Sequence, residues 1–538
     1  MRERLSGFVL DLPMRAQVVA LCAFAVLVAT YVVLRYEGYW GETDTSVFAA
    51  ATRARIETGE LIPSPGYVVY PNGYGYQVLG AFLVRVSGLD LTTLQLYGSA
   101  LLLVWIVLPA WLAYRAFTGT PYGASLATAL LLVQPEFLFA VLRGTHEKFS
   151  RGLMLVCLYL LVRSVGARHR PTRFTGMVLA FCLAFYALLA FNNFLALSLV
   201  GAMALACLLV WSAARVGLAL PRGTVFTLRR LAYGLAFAAV VAFLFTFYAY
   251  TPAQHGVRLL RSVGEQLALL VGFEHPTAPS SSGGVVYNPY AVVTTWWVSL
   301  PVYLVVSLGN WLTLVPSLAL WMYQSSRWLR GAGKPERESD LLLWALYGAF
   351  ALQGAFSAVV DLSGALSGNL QHRSFSSFVM LAAPVVAKGV VDGVPRRLFA
   401  SPRAHVAVWT LVAALAVLSL LKATNEPLLS NKWLFHLPGE MWAVRWTERT
   451  LPGRAVWIGF DERLESAREI QTGGTPRQVL FDKATLDGNT RDLLVSEVTR
   501  RQSQRLGVPL PLEGDDLVTY DNGEAQIVHR RPKTPYQP

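Results

Sequence analysis

Stretches of about twenty apolar residues, every second one closed by a short arginine-rich segment, recur from residue 16 to residue 423 and leave this chain few folds to choose from. A bilayer core about 30 Å thick is crossed by about 20 residues of helix. In lipid the backbone polar groups must be satisfied within the crossing element itself. The pattern predicts a polytopic α-helical membrane protein with about 11 transmembrane helices. They are expected at residues 16–35, 95–115, 123–142, 149–164, 174–191, 194–212, 231–250, 301–323, 340–360, 373–391 and 404–423. Interfacial pieces are expected at 76–94, an apolar run interrupted by Arg85 and Asp90, and at 291–300.

Composition agrees: 54% of the 538 residues are hydrophobic and only 15% are charged, which excludes a single soluble domain. A net charge of +13 raises the question of nucleic acid. The cations, however, sit in every second inter-span segment: Arg115, then Arg163 to Arg173, Arg215 to Arg230, Arg327 to Arg337, and Lys388 to Arg403. That is the positive-inside distribution of a membrane protein, and it argues against a nucleic-acid partner. With Arg2, Arg4 and Arg15 ahead of the first span, the N-terminus is expected in the cytoplasm of a prokaryotic cell. The first hydrophobic run lacks a small-residue cleavage site and reads as a retained helix. Cys22, Cys157, Cys182 and Cys207 all lie in apolar runs without metal spacing and read as packing residues.

The segments then expected on the outer face are 36–94, 143–148, 251–290 and 361–373, followed by everything after residue 424. Residues 1–424 form the membrane domain in this reading. Residues 425–538 return to ordinary globular composition and predict a small extracytoplasmic α/β domain, with strands at 454–460, 516–520 and 525–530 and helices at 438–450 and 490–505. The suggestive polar residues collect on the outer side: Glu42 and Asp44, then His146, Glu147 and Lys148, then His372 and Arg373. Any one of them has a bland reading: headgroup anchoring for the cations, or helix N-capping for Asp44 ahead of VFAAATRAR. Tyr67, Tyr70, Tyr74 and Tyr76, with Trp296 and Trp297, could stack on sugar or prenyl groups, but they also suit an interfacial aromatic belt.

The segment after the first span carries Asp44, Phe48 four residues on, an Ala-rich helix with Arg53 and Arg55, then Gly59, Tyr70 and Pro71. It resembles the first external loop of the membrane-embedded GT-C glycosyltransferases, the superfamily of the oligosaccharyltransferase catalytic subunits, the protein O-mannosyltransferases and the aminoarabinose transferases of lipid A. The resemblance implies sugar transfer from a polyprenyl-phosphate donor to a protein, lipid or glycan acceptor at the outer face. It implies Asp44 as the catalytic base, with Glu42 and Glu147 as supporting carboxylates. His-Glu-Lys at 146–148 is similar to the second acidic loop of that superfamily. Lys148 and Arg373 then become phosphate contacts, and His146, Tyr70 and Tyr74 further substrate contacts. No cofactor is required by this reading, although Asp44, His146 and Glu147 together could hold a divalent metal, Mg2+ or Mn2+. The alternative from another class is a multi-span transporter or lipid flippase, or a non-catalytic scaffold of the same layout. Transporters show midplane charges and repeated halves, whereas here the charges gather at one surface and no halves repeat.

Overall fold

The computed structural model describes residues 13–37, 43–61, 73–167, 170–216, 224–249, 299–362, 370–392, 402–424, 436–452, 454, 456–461, 463–464 and 490–530. Glu42, Tyr67, Tyr70, the 251–290 loop, Trp296 and Trp297 lie outside the described residues, as does the side chain of His372.

The helices begin with α1 (Met14–Tyr36), α2 (Thr43–Thr58), α3 (Tyr74–Ser87) and two single turns, α4 (Leu91–Thr93) and α5 (Ser99–Leu101). Next come α6 (Val104–Thr118), α7 (Pro121–Leu132), α8 (Pro135–Leu142), α9 (Glu147–Gly166), α10 (Pro171–Phe191), α11 (Asn193–Arg215) and α12 (Thr224–Leu244). The membrane part continues with α13 (Leu300–Val306), α14 (Leu308–Leu329), α15 (Glu338–Leu362), α16 (Leu370–Val391) and α17 (Pro402–Thr424). Then follow α18 (Pro438–Thr450) and α19 (Glu497–Leu506).

Among the described residues seven helices are long and apolar enough to cross a membrane: α1, α9, α10, α11, α15, α16 and α17. The chain is an integral membrane protein. The remaining four of the eleven expected spans are helical but do not meet that standard singly: α6 is short, α7 and α8 are two halves, and α12 and α14 fall outside the set. The expected span at 95–115 starts late, because residues 94–98 form a π-helical turn and regular helix resumes only at Val104. The expected interfacial helix at 76–94 ends early, at Gly88 in the left-handed region (φ +72°). The piece at 291–300 is described only from residue 299, and crossing helix α14 begins after α13, as expected.

The largest departure is the expected continuous span at 123–142, which bends by 74° between α7 and α8. Pro135 supplies no N–H, and the preceding Gln134 is driven into extended backbone (φ −91°, ψ 119°). The freed groups find partners: Ser419 Oγ donates to the Val133 carbonyl, and the Gln134 amide donates to Leu130 O and Thr313 Oγ1. Such local repair makes a helix break tolerable at membrane depth. A buried Lys422–Glu136 ion pair (2.6 Å) ties α8 to α17. The bend therefore sets where the C-terminal end of α8 delivers residues 143–146. Helix α9 is largely enclosed, with α6, α8, α10, α12 and α15 packed around it.

The C-terminal region carries a four-stranded sheet of order β1 (Val456–Trp457), β2 (Asp492–Ser496), β4 (Ala525–His529), β3 (Leu517–Asp521). β1 and β2 are parallel and the other pairs antiparallel. The expectation of a helix over 490–505 is corrected: Asp492–Ser496 is the fully buried central strand, and helix starts only after Ser496, whose hydroxyl caps Thr499 N–H. A short apolar run, Leu493 to Val495, is a strand when both of its faces are covered. One face meets Ala443 and Val444 of α18, the other Trp457 and Phe460.

Candidate active site

Four chain segments meet at the loop from Arg143 to His146, and Gly144 lets them. A Cβ there would come within 2.8 Å of Thr45 Cγ2 and 3.1 Å of Gln95 Cγ. Without one, the Gln95 amide donates to the carbonyls of Thr45 (2.9 Å) and Gly144 (2.8 Å), pinning the first turn of α2 to the loop. Tyr76 of α3 donates to the same Gly144 carbonyl at 2.8 Å. Phe48 fills the space behind, its ring 4.8 Å from that of His146 and edge-on to Tyr76 at 5.5 Å. Gly73, at φ +80°, permits this because a side chain there would collide with the Phe48 ring.

Two carboxylate–guanidinium pairs stand on this platform. Asp44 Oδ2 lies 3.5 Å from Arg143 Nη1 and is 28% exposed, against 11% for the arginine. Glu147 Oε2 lies 3.1 Å from Arg151 Nη2, one turn along α9. Asp44 sits inside the first turn of α2, after Thr43, not at the capping position, so its carboxylate is turned to the arginine. Arg373, exposed in the first turn of α16, acts electrostatically on Glu147, and Asp44 acts on His146. The structure thus brings Asp44, His146, Glu147 and Arg373 into one electrostatic neighbourhood.

His146 is held neutral. Asn192 accepts the Leu195 N–H through Oδ1 (3.0 Å), which leaves its amide NH2 to donate to His146 Nε2 (3.0 Å). Nε2 must then carry the lone pair and Nδ1 the proton. Burial pulls the imidazole down to about 4, consistent with this tautomer. The 3.9 Å approach of Nε2 to Glu147 is therefore not an ion pair at neutral pH.

Lys148 has a different place from the expected phosphate contact: it is fully buried, and its ammonium donates to the carbonyl of Arg143. Tyr74 lies with its ring 5.7 Å from the Arg55 guanidinium, on the α2 side of the platform. The sequence reading missed Arg143, Arg151 and Asn192. Arg151 had a legible signal in its i,i+4 spacing from Glu147; Arg143 and Asn192 meet their partners 99 and 46 positions away, by difference of the residue numbers.

The donor set does not suit a divalent metal. Among the described residues no three of His, Cys, Asp and Glu gather at metal-binding geometry. Each carboxylate already faces a guanidinium, and the available nitrogen of His146 is taken by Asn192. The expected metal set of Asp44, His146 and Glu147 is thus not assembled.

No protein-family model and no curated protein sequence matches the chain. Solved structures do. The archaeal oligosaccharyltransferase AglB from Archaeoglobus fulgidus, in complex with an inhibitory peptide and a dolichol-phosphate, is similar at a TM-score of 0.57 and 11% identity, over 97% of this chain and 75% of that one. The chain has the GT-C fold. A second structure of the Archaeoglobus fulgidus oligosaccharyltransferase, in complex with Zn and sulfate, is similar to this GT-C chain at a TM-score of 0.50 and 12% identity, over 88% and 68% of the two chains. ArnT from Cupriavidus metallidurans bound to undecaprenyl phosphate is similar at a TM-score of 0.49 and 16% identity, over 96% and 98%.

Proposed function

We propose that this chain is a membrane glycosyltransferase that moves a sugar from a polyprenyl-phosphate donor to an acceptor on the extracytoplasmic face. The observation that carries the reading is the partly exposed Asp44–Arg143 pair at the head of enclosed helix α9, beside Glu147–Arg151, within a GT-C fold. A carboxylate at a solvent-reachable edge suits a general base, and guanidinium groups around it suit a phosphate leaving group. Dolichol-phosphate in the AglB structure supports a donor of the same chemical class.

Asp44 accepts the proton of the acceptor nucleophile as that nucleophile attacks the anomeric carbon, and the bond from that carbon to the phosphate oxygen breaks. One base and one displacement give inversion. Arg143 pairs with Asp44 and, with Arg151 and Arg373, meets the charge that develops on the phosphate. Glu147 fixes Arg151, and Lys148 shapes the loop through the Arg143 carbonyl; Glu42, two residues before Asp44 in the sequence, is part of the proposal as a supporting carboxylate. With Asp44 and Glu147 each facing a guanidinium, the reading does not call on Mg2+ or Mn2+. The arginine-rich loops support a cytoplasmic N-terminus, which puts this site and residues 425–538 outside, where the C-terminal domain contacts acceptor.

The test is a thermal-shift screen with polyprenyl phosphate and polyprenyl-phosphate sugars, on wild type and Arg373→Ala, followed by transfer assays with Asp44→Asn. Stabilisation by phosphorylated lipids that weakens in Arg373→Ala supports the donor site. No response to any polyprenyl phosphate returns weight to a transporter or scaffold.

A further inference from the structure

The other end of α9 opens on a cavity with a volume of about 1100 Å³. Glu147 and Gly166 are the first and last of the 20 residues of α9, a rise of about 30 Å, so a membrane-crossing α9 puts the cavity on the side of the bilayer opposite the carboxylate pairs. Its wall is graded. On α6, Leu112 precedes Arg115 and Ala116 by one turn; on α9, Tyr159 precedes Val162 and Arg163. Each helix thus presents an apolar turn inward and an arginine one turn nearer the end. Arg170 and Arg173, at the start of α10, complete a cationic rim, and that helix start adds backbone N–H groups to the positive field.

The arginine charge is only partly compensated. Five arginines line the cavity against Glu336 and Glu338. Arg337 is committed to structure, donating to the carbonyls of Phe117 and Thr118 and pairing with Asp340. The side chains of Arg163, Arg170 and Arg173 form no ion pair or hydrogen bond among the described residues. Arg115 keeps a buried Nη1 without a hydrogen-bond partner. A buried guanidinium nitrogen left unsatisfied is costly and marks a place for an acceptor from outside the chain.

We propose that this cavity binds the phosphate headgroup of an anionic glycerophospholipid from the leaflet opposite the candidate active site. The graded wall selects the lipid over a soluble anion: the arginines meet the phosphate while Leu112, Val162 and Tyr159 meet the start of the acyl chains. The inference is independent of the sugar-transfer reading, because none of these residues belongs to that site.

The test is native mass spectrometry of the purified full chain with phosphatidylglycerol and phosphatidylcholine in equal amounts. Wild type is expected to retain phosphatidylglycerol preferentially. Arg163→Gln with Arg170→Gln should weaken it by roughly fivefold per arginine, with an unchanged melting temperature in lipid-free detergent. Arg163→Lys should retain binding, and Val162→Trp, which keeps the charge and fills the apolar wall, should lose it. Equal retention of both lipids, or retention unaffected by the glutamine variants, overturns the proposal. Displacement of lipid by millimolar pyrophosphate that binds Val162→Trp as well as wild type makes the ligand a soluble phosphate and overturns it too. So does copurification of an acidic protein whose loss in the glutamine variants leaves lipid binding unchanged.

Discussion

The loop cluster at the head of α9 and the buried core of the C-terminal domain use the same chemistry to opposite ends. In the domain, Arg463 bridges Asp461 (2.7 Å) and Glu440 (2.9 Å), Ser496 Oγ donates to Asp461, and the three charged side chains are 5% exposed or less. Burial acts to raise the Asp461 carboxyl, but Arg463 outweighs it and holds the group below its ordinary value; burial lifts Glu440 the other way. At the head of α9 the Asp44 pair is longer and partly open, and Arg151 Nε, His146 Nδ1 and Thr145 Oγ1 are buried without hydrogen-bond partners among the described residues. A closed and saturated network specifies packing. An open one with residual donors is poised to take a ligand.

The comparison breaks most decisively at Asp44. Asp44→Asn keeps shape and removes the base, so transfer should fall by about 10²–10⁴-fold with the melting temperature unchanged. Unchanged turnover in a single-turnover assay would end the assignment. The closed network should respond in stability, not chemistry: Arg463→Met strands two buried carboxylates and should cost about 3–5 kcal/mol. Denaturant unfolding followed through the C-terminal domain measures it, and transfer per folded molecule should hold.

His146 gives a pH signature between these two. Its folded-state pKa of about 4 lies below the ordinary 6.5, so the fold favours the neutral ring. Stability is whole above pH 6.5 and declines as pH falls towards 4, by about 3 kcal/mol. Melting curves of wild type and His146→Gln across that window should converge at low pH; parallel curves would remove the neutral-histidine account. Arg373→Ala should raise KM for the lipid-phosphate donor about tenfold, a loss of one charge-assisted contact, with kcat changed less. The smallest effect expected is that of a chelator. EDTA should change transfer by less than about twofold if Asp44 and Glu147 stay paired with Arg143 and Arg151; abolished transfer that Mn2+ restores would overturn the metal-free proposal.

Much of the bundle was legible because membrane insertion is a local rule. Apolar length and arginine placement located helix in each expected stretch, seven of them long and apolar enough to cross a membrane among the described residues, and the break at Gln134–Pro135 was there to be read in a proline, although its 74° bend was not. The strand at 492–496 was misread as helix because LLV is apolar in either state, and only covering of both faces decides between them.

The sequence alone determined a membrane bundle of helices, and it singled out Asp44, Glu147 and Arg373 before any contact between their segments was known. Tertiary structure decided the partners. Arg143 reaches Asp44 and Asn192 fixes the His146 tautomer across separations that no local periodicity encodes, and Lys148 turns inward to the carbonyl of Arg143, five residues before it. Spacing predicts which residues share a helix face; which two faces meet depends on how the whole bundle packs.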